Sequence, residues 1–370
     1  MTNPKIMHID TTKTWRGGQR QVAHLMREMK KNDLWSHLIC QPKSKLAEFC
    51  DKEQLSFSEI PLRGELDLFA AYKISILLRY YKVHILHTHS AHALSIGLFT
   101  KLFYPKIQLL YTKRVAFQMK KNLLSRLKYR NTYLNKIICI SEHIRNSMIS
   151  QGINPGKLLV IPSGIVLPEI KPINATLFKS KYSIPLHGFI VTTIASIEKN
   201  KGYDNLITAA LYVIRHDRDI HFLTLGKGKH EAEFREKVNN LGLSNHFHFL
   251  GFQEDTLPFL QISDLFVLPS REEGLGSSIL DAQAVGVPVI ASKTGGIPEL
   301  IKNGVNGILV TVDDSQQLAD RILELKLNPK LRQKLSKEAQ TSVQYYSIHT
   351  TTKSYVDLYH SLMEKNSFYS

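Results

Sequence analysis

The chain has 370 residues, of which 43% are apolar and 22% are charged, enough for two globular domains with separate cores. No apolar run reaches the roughly 18 residues that a membrane-spanning helix needs, and three cysteines without metal-type spacing exclude a disulfide or zinc-ribbon framework. Because the stretch "MTNPKIMHID" lacks the basic and apolar segments of a secretory signal, we expect a cytoplasmic protein.

Positive charge is concentrated in the first half of the chain. The formal net charge is +16, and residues 1–170 contain 26 Lys and Arg against 11 Asp and Glu, while residues 171–370 contain 22 against 21. No acidic residue occurs between Leu68 and Ser141, where 13 Lys and Arg do. Because protein surfaces normally mix both signs, we expect this half to meet an anionic partner: a phospholipid surface, a phosphorylated glycan or nucleic acid.

Apolar runs of strand length alternate with segments of helical period in the first half. A strand is predicted in "KIMHID", followed by a helix in "GGQRQVAHLMREMKK" with Val22, Leu25, Met26 and Met29 on one face. Further strands are predicted in "HLICQP", "VHILHTH", "IQLLYT", "KIICIS" and "KLLVIPS". This alternation predicts an α/β domain with a parallel sheet over residues 1–170.

The loop "HILHTHSAHA" of this half carries four histidines, and His87 and His89 alternate at a strand end, so both point to the same side. Neutral imidazoles are common metal ligands, which makes a metal site one interpretation. No Asp or Glu lies within 20 residues of His89 to complete or orient such a site. We therefore expect no metal, and a structural role for His87.

The pattern restarts after residues 166–186, which contain three prolines and are predicted to be a linker. Strands are predicted in "FIVTTIAS", "HFLTLG", "FHFLG", "LFVLPS", "VPVIAS" and "GILV", within a second α/β domain over residues 171–345. Residues 346–370 are expected to form a helix that packs back on the first domain. Ligands of such sheets bind at the carboxyl ends of the strands, in a cleft between the two domains.

The stretch "PSREEGLGSSILDAQ", residues 269–283, leads from a predicted strand through a glycine turn into a helix. Gly274 and Gly276 let backbone N–H groups approach a ligand, and the helix that begins near Ser277 adds the positive end of its dipole. These features predict a phosphate site with Glu273 and Asp281 around it. A serine-capped helix with solvent-facing acids explains the turn alone equally well.

Five motifs in this order resemble those of the family-4 retaining glycosyltransferases with the GT-B fold. They are "TWRGGQRQV", "HTHSAHA", "KNKGYDNLI", "HFHFLGFQEDTLPFLQISDLFVLPS" and "PSREEGLGSSILDAQAVGVPVIASKTGGIPELI". The stretch "YTKRVAFQMKKNLLSRLKYR" is similar to a subgroup attached to lipopolysaccharide and related envelope glycan synthesis. The resemblance extends over nearly the whole chain and implies two Rossmann-like domains whose parallel sheets face a central cleft.

The resemblance implies roles for individual residues. His89, Lys201 and Glu273 are expected to be catalytic, with Lys201 stabilising the departing diphosphate and Glu273 contacting the donor sugar. The expected donor-binding residues are Gly17, Gly18, Ser196, Lys201, Glu273, Gly274, Leu275, Gly276, Ser277 and, for the ribose, Asp281. The residues expected to face the acceptor or the membrane are Arg16, Lys113, Arg114, Lys120 and Lys121.

Two positions depart from the family pattern. Ser196 stands where the family usually has an arginine, so one cation for the diphosphate is missing or is supplied elsewhere, by Lys199 or Arg16. Asp281 replaces a glutamate that is one methylene longer, so the ribose must lie closer or a water must bridge.

The resemblance implies a metal-independent retaining glycosyltransferase that needs no cofactor. It would move a sugar from a nucleotide-diphosphate sugar, with a UDP-sugar expected, to an anionic lipid-linked or lipopolysaccharide-type acceptor at the inner face of the cytoplasmic membrane. Peripheral association with anionic membrane and no nucleic acid are expected, and no general base is assigned, because no carboxylate of the first half sits in a matching loop. Two alternatives stay open: a nucleotide-sugar epimerase of the same fold, and a basic protein that binds nucleic acid or membrane through residues 68–141.

Overall fold

A computed structural model describes residues 3–115 and 123–367. The chain divides into two compact units, the first made of Met1–Val166 with Tyr346–Ser370 and the second of Leu167–Tyr345. Within the described residues, none of the helices is long and apolar enough to cross a membrane.

The first unit is built on a parallel seven-stranded sheet in the order β3-β2-β1-β4-β5-β6-β7. Its strands are β1 (Ile6–Ile9), β2 (Ser36–Cys40), β3 (Phe57–Glu59), β4 (Ile85–Thr88), β5 (Gln108–Lys113), β6 (Leu134–Cys139) and β7 (Leu158–Val160). Its first six helices are α1 (Gly17–Lys31), α2 (Lys45–Lys52), α3 (Leu68–Tyr81), α4 (Ala91–Phe103), α5 (Leu123–Arg130) and α6 (Glu142–Ser150).

The second unit contains a parallel six-stranded sheet in the order β10-β9-β8-β11-β12-β13. Its strands are β8 (Phe189–Ile194), β9 (Ile220–Leu225), β10 (Phe247–Phe249), β11 (Leu265–Leu268), β12 (Val289–Ser292) and β13 (Ile308–Val310). Its helices are α7 (Ala175–Lys181), α8 (Tyr203–His216), α9 (Glu231–Asn240), α10 (Leu257–Gln261), α11 (Ser277–Val285), α12 (Ile297–Leu300), α13 (Ser315–Leu327) and α14 (Pro329–Ser342).

The C-terminal helix α15 (Ile348–Ser367) belongs to the first unit. Its buried residues Tyr355 and Tyr359 share a core cluster with Leu25 and Met29 of α1 and Leu110 of β5. Leu109, the preceding residue of β5, contacts α4, because a Cβ built on Gly97 would lie 2.8 Å from its Cδ1. Helices α1 and α15 therefore cover one face of the sheet, and α4, with α3 packed beside it, covers the other.

The predicted α/β fold with two parallel sheets is confirmed, and each strand expected from an apolar run is present. The segment 166–186, predicted to be a linker, contains a helix instead. The side chain of Asn174 accepts a hydrogen bond from Leu177 N–H at 3.0 Å and begins α7. Phe178 and Tyr182 then pack on Phe259, with ring centroids 4.9 and 4.8 Å away. Apolar packing of this segment overrides its proline content.

Candidate active site

Three histidines of the first unit meet at the carboxyl ends of the neighbouring strands β1 and β4. His8 Nδ1 lies 2.9 Å from Nε2 of His89, which directly follows β4. His87 contacts Tyr359 Oη at 2.8 Å through Nδ1 and Thr112 Oγ1 at 2.7 Å through Nε2. Both nitrogens of His87 are thus engaged in the interior, while His89 lies at the strand end where ligands of parallel sheets bind.

The three imidazoles are neutral because they are buried. Burial, with a smaller effect from His37, lowers the pKa of His8 to about 3. Burial also holds the pKa of His87 and His89 well below the usual histidine value. Arg114 Nη2, which can only donate, lies 3.5 Å from His89 Nδ1, so the proton of His89 is on Nε2 and is donated to His8. This network gives His89 one orientation and one tautomer.

The nitrogens of His8, His87 and His89 lie within 4.8 Å of one another and could hold a metal ion, the one such group in the ranges that the structure describes. A metal ion there would have to break the hydrogen bonds between His8 and His89 or those that hold His87. His8 Nε2 is the buried nitrogen of the group without a hydrogen-bond partner in the described part of the chain. That the protein needs no metal stays a prediction.

Asp10 corrects the expectation that the first half has no carboxylate in a matching loop. It directly follows β1, is fully buried, and accepts hydrogen bonds from Thr12 N–H at 2.8 Å and Gln19 Nε2 at 3.1 Å. The backbone N–H of His89 donates to Ile9 O at 2.9 Å, so the loops after β1 and β4 are adjacent. Burial raises the pKa of Asp10, although its hydrogen bonds and the charge of Arg114 oppose this. An acid directly after a buried strand was the signal in the sequence.

The glycine loop after β1 opens α1 at Gly17, with exposed Arg16 before it. No side chain caps this helix and no acid lies in its first turn, so first-turn N–H groups face solvent or a ligand. A Cβ built on Gly18 would lie 3.4 Å from Arg114 Cδ. Arg114 therefore lies between this loop and His89, and its expected contact with the acceptor stays a prediction.

Lys113, which was expected with Arg114 to face the acceptor or the membrane, is a buried residue. It is the last residue of β5 and is 4% exposed, with Nζ 5.6 Å from the ring of Tyr129, and burial lowers its pKa. The strand carries its side chain into the interior, so Lys113 does not reach a membrane surface, and its expected contact with the acceptor stays a prediction. Lys120 and Lys121 lie outside the described residues.

In the second unit, two expected catalytic residues are in direct contact. Lys201 Nζ lies 2.6 Å from Glu273 Oε1, with 19% and 12% of the two side chains exposed. Ser270 Oγ donates to the same Glu273 oxygen at 3.0 Å. Lys201 comes from the loop between β8 and α8, and Glu273 from the loop between β11 and α11. The carboxyl ends of these neighbouring strands thus bring opposite charges together at one edge of the sheet.

The loop of Glu273 is supported through its backbone. Gly296 N–H donates to Glu273 O at 3.2 Å, and Thr294 Oγ1 donates to Arg271 O at 2.9 Å. Gly295 has φ +55, and a Cβ there would lie 1.9 Å from Glu273 O. Only glycine allows this contact, which explains the first glycine of the pair in "KTGGIPE".

The glycine turn leads into α11 as predicted from the sequence. Gly276 has φ +89 and precedes Ser277, and no side chain caps the helix, so its first N–H groups are open to an anion. Asp281 lies one turn into α11 and is half-buried. Leu275 is 2% exposed, so only its backbone is available to a ligand.

Ser196 follows β8 and occupies the position where the family pattern has an arginine, so the cation of that arginine is absent here. Lys199, one expected replacement, pairs with Glu233 of α9 at 3.0 Å, so its charge is already partnered. Lys227 is another basic residue beside this loop, because its carbonyl accepts from Ile197 N–H at 3.2 Å and its side chain is exposed. The spacing in the sequence does not reveal this proximity.

Nothing in the sequence pattern singles out Arg271, which ties several loops of this site together. Its guanidinium donates to Asp204 at 2.6 Å, to Asp313 at 2.8 Å and to the carbonyl of Lys199 at 2.8 Å. The ion pairs with Asp313 and Asp204 raise the pKa of Arg271. Arg271 thereby fixes the loop that carries Lys201 relative to the loop that carries Glu273.

Both units of the chain match known glycosyltransferase families. Residues 15–167 match the family described as Glycosyltransferase Family 4, and residues 175–342 match the family described as Glycosyl transferases group 1.

Two relatives illustrate the range of similar proteins. The chain is 25% identical over 338 residues to the UDP-Gal:alpha-D-GlcNAc-diphosphoundecaprenol alpha-1,3-galactosyltransferase of Escherichia coli, a match that covers 87% of each chain. It is 29% identical over 181 residues to the lipopolysaccharide core biosynthesis glycosyltransferase LpsE of Rhizobium meliloti, which covers 49% of this chain and 52% of that protein. Apart from the galactosyltransferase, the chain spans about half the length of the first curated relatives it matches.

Among solved structures, that of Anabaena Alr3699/HepE in complex with UDP superposes with a TM-score of 0.85. The match covers 96% of this chain and all of that chain at 20% identity, a level that establishes a shared fold.

Proposed function

This chain belongs to the glycosyltransferases of the family-4 type with the GT-B fold, and on that premise we propose that it transfers a sugar with retention from a nucleotide-diphosphate sugar to a lipid-linked envelope glycan. A UDP-sugar is the proposed donor, supported by the UDP in the Anabaena structure and by the UDP-Gal in the name of the Escherichia coli relative. That relative's name also specifies a diphosphoundecaprenol acceptor, which supports a lipid-linked acceptor here.

The contact between Lys201 and Glu273 beside the uncapped start of α11 carries this proposal. A diphosphate seated on the first N–H groups of α11 would draw the ammonium of Lys201 toward itself. Glu273, released from part of that ion pair, would accept hydrogen bonds from hydroxyls of the donor sugar. The pair therefore holds both groups in place before the donor binds, which lowers the cost of arranging them.

The proposed reaction uses this arrangement. The bond between the anomeric carbon and the diphosphate oxygen breaks while the acceptor hydroxyl forms its bond on the same face of the sugar. The hydroxyl proton passes to the departing phosphate oxygen, so no protein base is needed. Lys201, the helix dipole of α11 and a further cation, for which Lys227 is the candidate, stabilise the negative charge that develops on the diphosphate.

The acceptor is proposed to approach the first unit near His89, Gly18 and Arg114. The excess of Lys and Arg over Asp and Glu in residues 1–170 supports an anionic acceptor and contact with the inner face of the cytoplasmic membrane. Neutral His89, oriented by His8 and Arg114, would lie beside the reacting sugar without adding charge of its own.

The test is transfer from a panel of nucleotide sugars to a detergent-dispersed polyprenyl-diphosphate sugar, with the anomeric configuration of the product read by NMR. Lys201→Ala should lower kcat/KM by roughly 100-fold or more, because it removes a cation from the departing diphosphate. Lys330→Ala, which removes an exposed lysine of α14, is the matched control and should leave the rate unchanged.

Absence of both transfer and donor hydrolysis across the panel would overturn the proposal. Conversion of a nucleotide sugar without any acceptor would point to the epimerase alternative instead. An inverted product would reject retention while leaving glycosyl transfer intact.

A further inference from the structure

The outer face of α3 is apolar although it is exposed. Phe69, Tyr72, Ile76 and Tyr80 recur at helical spacing, and between 46% and 76% of each is exposed. The opposite face is buried against the unit and consists of Ala70, Ala71, Ile74, Ser75 and Leu78. Apart from Lys73, Ser75 and Arg79, both faces of α3 are apolar, and a helix of this kind is normally enclosed by protein, so its outer face lacks the partner that its composition requires.

Neighbouring residues extend this face into a patch. Leu66, before α3, is 77% exposed, and Leu102 of α4 is 59% exposed. The ring of Tyr72 lies 5.5 Å from that of Phe103 on α4, which joins the two helices at the surface. We call Leu66, Phe69, Tyr72, Ile76, Tyr80 and Leu102 the α3–α4 patch. Contiguous exposed apolar side chains of this kind mark sites of interaction with proteins or membranes.

The charges around the patch are positive. Lys73 Nζ lies 4.5 Å from the ring of Phe69, and Arg79 lies 5.6 Å from the ring of Tyr104. The two nearest acids in the chain are already engaged: Glu65 with Lys128 at 3.0 Å, and Asp67 with Ala70 N–H at 2.9 Å. A ligand for this patch must therefore combine an apolar phase with negative charge.

An anionic bilayer provides both. Tyrosine rings favour the headgroup region, apolar side chains reach the acyl boundary, and each nearby Lys or Arg adds about 1 kcal/mol of attraction to anionic lipid. A second copy of this chain fits less well, because two such patches would bring like charges together.

The exposed apolar residues of the second unit form no comparable stripe. The exposed residues are Ile170, Leu177, Leu186, Phe252, Leu327 and Tyr345, and no two of them share a helix or strand. Isolated exposed apolar residues are normal on soluble surfaces. This difference in exposed apolar residues between the two units places the membrane-facing side on the first unit, where the excess of positive charge also lies.

We propose that the α3–α4 patch inserts into the headgroup region of an anionic bilayer and holds the first unit on the membrane. This inference rests on the proposed function in one respect, since a lipid-linked acceptor gives membrane binding its purpose. Binding to vesicles is nevertheless measurable without any transfer reaction, so the two proposals can fail separately.

The experiment is co-sedimentation of the full chain with phosphatidylcholine vesicles, with and without phosphatidylglycerol. The wild type should bind the anionic vesicles preferentially. Phe69→Ser/Ile76→Ser should weaken this binding by roughly tenfold or more, because two apolar side chains that would be buried in the lipid are replaced by polar ones. Leu327→Ser/Tyr345→Ser removes two apolar residues of the second unit that are even more exposed, and this variant should bind as the wild type does.

Lys73→Gln should reduce binding to the anionic vesicles, while the weak binding to vesicles of pure phosphatidylcholine should not change. Both patch variants should keep the wild-type melting temperature and transfer to a detergent-dispersed acceptor, because the altered side chains are exposed. The proposal is overturned if the wild type ignores anionic vesicles or if Phe69→Ser/Ile76→Ser binds them unchanged. It is equally overturned if that variant converts a dimer into a monomer, since a second copy would then be the occupant.

Discussion

At the scale of single residues, the donor loop has one contact that is already formed and one proposed contact that depends on the length of a side chain. Lys201 and Glu273 already touch at 2.6 Å. Asp281, half-buried on α11, has a shorter side chain than the glutamate of the family pattern. Its proposed ribose contact must therefore be closer or bridged by water, and its role can be separated from that of Lys201 by kinetics.

Asp281→Ala should weaken UDP binding by roughly tenfold, the cost of losing one hydrogen bond to a charged group, while kcat at saturating donor changes little. Isothermal titration with UDP and initial rates measure the two quantities. Asp320→Ala, at an exposed position of α13, is the control. If turnover falls at saturating donor and UDP affinity is untouched, Asp281 does not bind the ribose.

At the scale of elements, the loop that carries Glu273 depends on the backbone of its neighbour. Gly295 and Gly304 both have positive φ, but a Cβ on Gly295 would lie 1.9 Å from Glu273 O, whereas one on Gly304 would meet nothing within 4 Å. Both positions therefore have a backbone conformation that favours glycine, but only Gly295 lies against the backbone of Glu273.

Alanine at either glycine should cost about 1 kcal/mol of unfolding free energy through the positive φ. Gly295→Ala should cost more, and should also weaken UDP binding, because the added methyl group displaces the backbone of Glu273. Urea unfolding and UDP titration of the two variants measure this difference. Equal UDP affinity in Gly295→Ala and Gly304→Ala would show that the contact with Glu273 has no influence on the donor site.

At the scale of the whole molecule, the buried histidines make the first unit sensitive to acid. Burial lowers the pKa of His8 to about 3, and of His24 and His37 to about 4. The unfolded chain takes up protons near the ordinary value of about 6.5, while the folded unit does not. The stabilisation from these neutral histidines is therefore complete above that value and is lost as the pH falls from about 6.5 toward 4.

His8→Gln should reduce the pH dependence of the unfolding free energy by about 1.4 kcal/mol per pH unit in this window, because one neutral buried imidazole no longer contributes. Glutamine can keep a hydrogen bond to His89. The measurement is urea unfolding at several pH values between 4.5 and 7, a range of about two and a half units. His216→Gln, at an exposed position of α8, is the control, and identical slopes for His8→Gln and the wild type would contradict the argument.

The α/β architecture and the donor loop were predictable because they rest on local pattern. Apolar runs and glycine turns specify strands and helix starts within a few residues, so every strand except β3, and the start of α11, follow from the sequence. The same local rule gave a wrong prediction for the segment 166–186. Phe178 and Tyr182 pack there on Phe259, a residue distant in sequence, and the residues next to them do not indicate this contact.

The sequence alone determined two parallel-sheet units, the uneven charge and the residue types of the donor loop. Tertiary structure decided which side chains meet: His8 and His89 are 81 positions apart, and Lys201 and Glu273 are 72. It also decided exposure, since the aromatic run of α3 resembles a core helix in sequence and yet presents Phe69 and Tyr80 to solvent. The physical reason is that periodicity records the faces of one element, whereas burial and long-range contacts depend on the elements packed against it.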